Sequence, residues 1–207
     1  MEEADHFRPR DGKLVPDVPY YLREDDRFAI LCAGVGKVNA AMAATALIGR
    51  GCTLLVSMGS AGRLRPGNSG VFWISEAIQH DYGARRPAGF VTFTAGTLPL
   101  GTATVRPFKA IEDPGLHLPM TRILTGDRFV EQENIALRLA KRFDADLVDM
   151  ETGAIAQVAA AHDIGWAGIR AVSDDADEAS AGNFKKNLDR AARTAAREAS
   201  RLVDLLT

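Results

Sequence analysis

The sequence predicts an α/β protein, a helix-covered sheet in a single domain spanning residues 1–207. Three observations predict it. Short apolar runs of strand character alternate with helix-like segments along most of the chain, which argues for a mainly parallel sheet with helices on its faces. Two of those runs, Val148-Asp149-Met150-Glu151-Thr152-Gly153 and Ile169-Arg170-Ala171-Val172-Ser173-Asp174-Asp175-Ala176-Asp177, break abruptly into carboxylates. Acids at the C-terminal ends of strands stand where α/β sheets gather their ligands. Finally, 207 residues, 46% hydrophobic and 25% charged, are enough to bury one sizeable core without a second domain.

The elements follow in order. Residues 28–32 form a short apolar strand that ends at Gly34-Val35-Gly36, and an alanine-rich helix runs from about 38 to 49. Residues 53–58 read as a buried strand closed by the small residues Gly59-Ser60-Ala61-Gly62, and 71–75 have the aromatic and β-branched character of another. Residues 80–119, rich in Gly, Pro, Thr and Arg, lack a helical period and read as loops with short strands. An irregular stretch of that length usually carries function or an interface. After it come a strand at 121–125, a helix at 132–142, a strand at 145–150, a helix at 152–162 and a strand at 167–172. The last helix, 183–206, sets Leu188, Ala192, Ala195, Ala199, Leu202 and Leu206 at steps of three or four, so one side faces the sheet.

Charge and composition exclude several classes. A net charge of -2 gives no electrostatic case for nucleic acid or an anionic membrane. The arginines at Arg85-Arg86 and in the last helix are interspersed with acids and read as solvated surface. No basic-then-apolar leader and no apolar run of ~18 residues is present, so the expectation is a cytoplasmic protein without a membrane span. Cys32 and Cys52, in apolar surroundings and without ligand spacing, read as buried, reduced thiols. His6, His80, His117 and His162 show no zinc spacing, and Asp174, Asp175, Asp177 and Glu178 lack the glycine and terminal glutamate of a calcium loop. No metal and no cofactor is expected. Asp174 reads as the inward-facing acid, with the other three capping or solvating the turn.

The glycine motifs narrow the chemistry further. Gly34-Val35-Gly36-Lys37-Val38 lacks the spacing of a nucleotide-triphosphate loop, and the third glycine of a dinucleotide fingerprint falls on Asn39. Two readings stay open: a tight turn that needs glycine, or a backbone that also approaches a small ligand. Gly59-Ser60-Ala61-Gly62 lets main chain and a hydroxyl face a ligand closely, but it does not match a nucleophile elbow and no histidine is placed to activate Ser60.

Five segments in order, Gly34-Val35-Gly36-Lys37-Val38-Asn39-Ala40-Ala41, Gly59-Ser60-Ala61-Gly62, Thr125-Gly126-Asp127-Arg128-Phe129-Val130, Asp149-Met150-Glu151 and Arg170-Ala171-Val172-Ser173-Asp174, resemble the purine nucleoside phosphorylases and nucleosidases. Within that group they are most similar to the 5′-methylthioadenosine/S-adenosylhomocysteine nucleosidases. The resemblance implies a central twisted mixed sheet flanked by helices, in a homodimer that needs neither metal nor cofactor. It implies hydrolysis of a small purine nucleoside to adenine and a thioribose product, as in methionine salvage. Measured against the family, the chain starts inside the loop after the first strand, so that strand is expected to be missing.

The resemblance also assigns roles. Asp174 would protonate purine N7, with Ser173 orienting it; burial beside other carboxylates raises a carboxyl pKa in the needed direction. Glu151 would accept hydrogen bonds from the ribose hydroxyls, and Met150 would lie against the sugar. Phe129 would stack on adenine, the Val130 backbone would read its edge, and Gly62 would allow close approach of the main chain. Glu3, with Glu2 as the alternative, would position the attacking water together with Arg170 and Ser60. Residues 93–99 would cross to the neighbouring subunit, with Phe93, Leu98 and Pro99 lining a pocket for the 5′ substituent.

Phosphorylases of this group carry an arginine where this chain has Ser57, which favours water over phosphate as the nucleophile. Two alternatives accompany this reading: a nucleosidase or phosphorylase for another 5′-modified purine nucleoside such as futalosine, and a catalytically weak nucleoside-binding protein.

Overall fold

The computed structural model describes residues 22–24, 28–67 and 69–206. Glu2 and Glu3, and the place of the expected missing strand, lie outside the described residues. Among the described residues ten strands and four helices follow in chain order. They are β1 (Leu22–Glu24), β2 (Ala29–Leu31), α1 (Lys37–Ile48), β3 (Leu54–Arg63), β4 (Val71–Gln79), β5 (Gly83–Arg86) and β6 (Gly89–Thr92). Then come β7 (Phe108–Lys109), β8 (Met120–Thr125), α2 (Glu133–Phe143), β9 (Leu147–Asp149), α3 (Thr152–Ala161), β10 (Gly165–Asp174) and α4 (Ser180–Leu206).

Six strands form the central sheet in the order β10-β3-β9-β8-β4-β7, and β10 also pairs with β4, so the sheet curls round and closes on itself. Parallel pairings (β10 with β3, β4 with β8, β8 with β9) are balanced by antiparallel ones (β10 with β4, β3 with β9, β4 with β7). The sheet is therefore mixed, as the resemblance implies, and not mainly parallel as strand–helix alternation alone suggests. Alternation could not foresee this because antiparallel partners here are distant in sequence. The expected irregular stretch resolves into the β5–β6 hairpin, the short β7 and connecting loops.

Several elements run further than their sequence pattern predicts, among them β4, which continues to Gln79, and β10, which spans Gly165–Asp174. β3 continues through Gly59-Ser60-Ala61-Gly62 to Arg63, because β10 pairs with it from Leu54 to Gly62 and supplies its hydrogen-bond partners. α4 starts at Ser180, where the Asp177 carboxylate and the Ser180 hydroxyl bind each other's turn. Its buried stripe is Ala191, Ala195 and Leu202, with Ala199 beside them, whereas Leu188 and Leu206 are largely exposed. The apolar side is thus narrower than the spacing suggests and its start is shifted by one helical step.

Three clusters make the core. Around α1 and α3, Ala44, Ala156 and Ala159 meet Leu55, Phe72, Ile74, Ile123, Leu147 and Trp166. Small residues on these helices bring them close to the sheet. α2 seals a second cluster through Ala136, Ala140 and Phe143 against Leu124 and Val148, and α4 seals the third against Trp73, Ile169 and Ala171. The cysteines depart from expectation. Cys32 is exposed and Cys52 half-buried, because both fall just beyond the ends of the elements whose apolar residues surround them in sequence.

Candidate active site

The ends of β3, β8, β9 and β10 are neighbours in the sheet: Gly62 pairs with Val148 and Asp174, and Thr125 pairs with Asp149. The pairing of β10 with β3 slips between Val172 and Asp174, leaving Ser173 as an extra residue. Such bulges re-aim side chains at the rim of a sheet. Here the bulge buries both Ser173 and Asp174. The Asp174 carboxylate accepts from the Ser173 hydroxyl at 2.8 Å and from the Ala176 N–H at 3.1 Å. Ala176 adopts φ 51, which curls the chain back over the acid. A Cβ on Gly62 would stand 3.0 Å from Asp174 Oδ1 and 3.3 Å from Val148, so glycine is what lets the acid lie against β3.

On β10, Arg170 is buried with Asp149 as its counter-ion at 2.7 Å, their side chains only 4% and 1% exposed. Charges so far from water persist only when paired and hydrogen-bonded. Arg170 Nη2 also donates to Ser57 and Thr152, each at 2.8 Å, and Nε donates to Thr152 at 3.0 Å. Asp149 in turn accepts from the Thr125 hydroxyl at 2.6 Å and from the Thr152 N–H at 2.9 Å. Gly59 is essential to this packing, since a Cβ there would collide with the guanidinium Nη1.

Glu151 is the residue before α3, without a capping hydrogen bond from its side chain, and lies beside this pair, its Oε2 3.9 Å from Arg170 Nη2. Its Oε1 accepts the N–H of Gly36 at 2.9 Å. Burial and the neighbouring Asp149 raise the Glu151 carboxyl above its ordinary range, against the opposing pull of Arg170 and the Gly36 and Met150 N–H groups. Gly36 itself has φ 97 and ψ 161, a conformation essentially reserved for glycine. The reading of that motif as a tight turn that needs glycine therefore holds, and the turn's amide is bonded to the Glu151 carboxylate.

The remaining expected residues fall as follows. Met150 is half-buried between Asp149 and Glu151. Phe129 is 42% exposed, its ring edge-on to Phe184 of α4 at 5.7 Å, while Val130 is buried in the α2 cluster. Ser60 is half-buried; strand alternation sets it on the face of β3 shared with Gly62, away from the Gly59 side where the Arg170 guanidinium lies. The register thus separates Ser60 from Arg170. Phe93 is buried within its own chain beneath the Arg86 guanidinium, 5.3 Å from the ring centre, and Pro99 is half-buried. Leu98 and Leu100 are 79% and 73% exposed and are the apolar groups which that loop presents outward.

Sequence reasoning missed Ser57, Thr125, Asp149 and Thr152 as the cradle of Arg170. One signal was available: Asp149 and Glu151 are two apart at a strand end, which sets both on one side of the sheet. Among the described residues no group of three or more His, Cys, Asp or Glu is arranged to hold a metal ion, and no helix is long and apolar enough to cross a membrane.

Residues 18–204 match the phosphorylase superfamily. The chain belongs to that superfamily. A 5′-methylthioadenosine/S-adenosylhomocysteine nucleosidase from Mycobacterium bovis is 32% identical over 87% of this chain and 82% of its own, which places the chain in the nucleosidase family. Among solved structures, a nucleosidase of the same name from Neisseria meningitidis, in complex with methylthio-immucillin-A, is 28% identical with a TM-score of 0.72, over 90% of this chain and 84% of its own. Futalosine hydrolase of Helicobacter pylori shares the fold, with 23% identity and a TM-score of 0.75 over 96% of this chain and 88% of its own. At Ser57 the chain holds a buried hydroxyl that accepts from Arg170 Nη2.

Proposed function

We propose that this nucleosidase hydrolyses 5′-methylthioadenosine and S-adenosylhomocysteine to adenine and the corresponding thioribose. The observation that carries the choice of water is the Arg170–Asp149 pair. Among the described residues the one buried cation of the site, Arg170, is already paired with Asp149, so a phosphate dianion would find no free countercharge among them, at a large desolvation cost. Water has no such requirement.

In this reading the glycosidic C1′–N9 bond breaks as Asp174 delivers its proton to N7, and the departing electron pair is held on a neutral adenine. Ser173 and the Ala176 N–H fix the acid for that transfer. Positive charge grows on the ribose, and Glu151 grips the sugar hydroxyls beneath it, so its attraction is greater in the transition state than in the ground state. Water adds to C1′ and gives up a proton to the N-terminal carboxylate, Glu3 or its alternative Glu2. Arg170 orients Glu151 and faces the water. Ser60 belongs to the Asp174 side of β3. Phe129 and the Val130 backbone hold adenine, with Gly62 and Met150 against base and sugar.

The exposed Leu98, with Leu100 just beyond it, supports a homodimer in which the 93–99 segment, apart from the buried Phe93 side chain, reaches the partner's site. A cytoplasmic place in methionine salvage follows from the same substrate assignment. Futalosine is the second reading, supported by the shared fold of futalosine hydrolase. The test is to incubate the protein with methylthioadenosine, and separately with futalosine, each with and without phosphate. Free thioribose at a rate independent of phosphate is expected. A sugar 1-phosphate would replace hydrolysis by phosphorolysis, turnover of futalosine alone would reassign the substrate, and binding without turnover would leave a nucleoside-binding protein.

A further inference from the structure

The turn that bonds Glu151 is itself tied down by charges outside the crevice. Lys37, directly after Gly36, donates its backbone N–H to Asp127 Oδ1 at 2.9 Å. Its ammonium reaches Asp81 Oδ1 at 2.7 Å and lies 3.8 Å from Asp127 Oδ2. Asp81 Oδ2 then accepts the N–H of Asp127 at 2.9 Å. The result is a closed ring joining three chain segments: the first residue of α1, directly after the Gly36 turn, the residues after β4 and the residues after β8.

We propose that Lys37 is a positioning residue: with Asp81 and Asp127 it holds the Gly36 N–H on Glu151 and so sets the carboxylate that grips the sugar. This role rests on the reading of Glu151 as the ribose-binding acid. Three features support it. The Lys37 and Asp81 side chains are 19% and 21% exposed and Asp127 is 50% exposed, so the Lys37–Asp81 pair at the heart of the ring is not the weak kind found between fully solvated charges. Although burial alone would raise the Asp81 carboxyl, the hydrogen bonds from Lys37 and from the Asp127 N–H outweigh it and keep the acid below its ordinary range. Gly36 occupies a backbone conformation that needs holding from both sides, and Asp127 Oδ1 is what a Cβ there would meet first, at 3.4 Å. The same Asp127 opens the loop that carries Phe129, so one ring fixes both the sugar carboxylate and the start of the base-stacking segment.

Lys37→Met should lower kcat/KM for methylthioadenosine about tenfold, the value of one charge-assisted hydrogen bond. Lys37→Arg should recover most of the loss. The decisive comparison repeats Lys37→Met on a Glu151→Gln background. If Lys37 acts through Glu151, the further loss there falls to about twofold or less. Equal losses on both backgrounds would overturn the proposal and reduce Lys37 to a structural residue. Asp127→Asn serves as the second variant if Lys37→Met folds poorly, as checked by circular dichroism. Wild-type turnover with no effect of either variant would overturn the role of Lys37 and leave the nucleosidase reading intact. Absence of turnover in the wild type would overturn both.

Discussion

Asp149→Asn is the most informative single change in this molecule, because one atom swap alters a buried charge and little else. Asp149 Oδ2 accepts from Arg170 and from the Thr152 N–H, and Oδ1 accepts from the Thr125 hydroxyl. An asparagine can keep its carbonyl toward Arg170 and Thr152. Its amide would then face Thr125, whose hydroxyl can turn to accept. The shape and most bonds survive while the negative charge does not.

Removing one member of a buried pair typically costs about 3–5 kcal/mol, and the retained hydrogen bonds put this case near the lower end, about 3 kcal/mol. For a chain of this size that corresponds to a fall in Tm of about 6–12 °C. Two further effects carry a defined sign. After burial, Asp149 is the main cause of the raised Glu151 carboxyl, so its neutralisation lowers that pKa, while Arg170 and the Gly36 N–H still act in the same lowering direction. If ionised Glu151 is needed for catalysis, the acid limb of the kcat/KM profile moves to lower pH. And Arg170, now without its counter-ion, should draw phosphate, seen as a greater rise in Tm with added phosphate than in the wild type. Urea unfolding, a pH–rate profile and thermal melts with and without phosphate test all three. A loss below about 1 kcal/mol, against the 3–5 expected for a broken buried pair, would refute the account, as would an acid limb that stays still or moves upward.

Asp174→Asn should slow methylthioadenosine turnover by about 10²–10⁴-fold, the usual value of a general acid, with an unchanged melting temperature; near-full activity would remove Asp174 as the proton donor. Glu151→Gln should be more stable than the wild type at neutral pH. A folded pKa raised above its unfolded value imposes a cost present above the folded pKa and absent below the unfolded one, so the advantage should vanish as pH falls below about 4.5 in paired urea titrations. Gly36→Ala should lose about 1–3 kcal/mol, since its φ of 97 is strained for any residue with a Cβ, and should raise KM through the displaced amide; denaturant melts and steady-state kinetics read the two effects separately.

Strand ends were the part of this fold most legible in the sequence. An apolar run that stops in acids, at Asp149 and again at Asp174, marks the rim of a sheet because a buried strand cannot continue through unpaired carboxylates. The order of the glycine and acid segments carried the resemblance, and with it the mixed sheet that local periodicity could not supply. What stayed illegible depends on partners brought in from elsewhere. β3 runs past Gly59 because β10 pairs with it throughout, and the closure of β10 on β4 is a matter of curvature that no local pattern encodes. Ser57 and Thr152 look like ordinary polar breaks in apolar runs until Arg170 is placed between them. Lys37 and Asp81 look like surface charges for the same reason.

The chemistry of the site turns on the sum of its charges. Arg170, Asp149 and Glu151 lie together, one cation and two acids, so with Glu151 ionised the crevice carries a net negative charge. A crevice of that sign repels a phosphate dianion and favours the positive charge that grows on a ribose as its glycosidic bond breaks. Burial and that same sign together raise the Glu151 carboxyl, the acid left over once Asp149 has taken the arginine. Its remaining partners are the uncharged backbone amides of Gly36 and Met150, and the Gly36 amide favours the ionised form only while the turn stays in place. The choice of nucleophile and the need for the Lys37 ring therefore have one origin, an arginine whose charge is already spoken for.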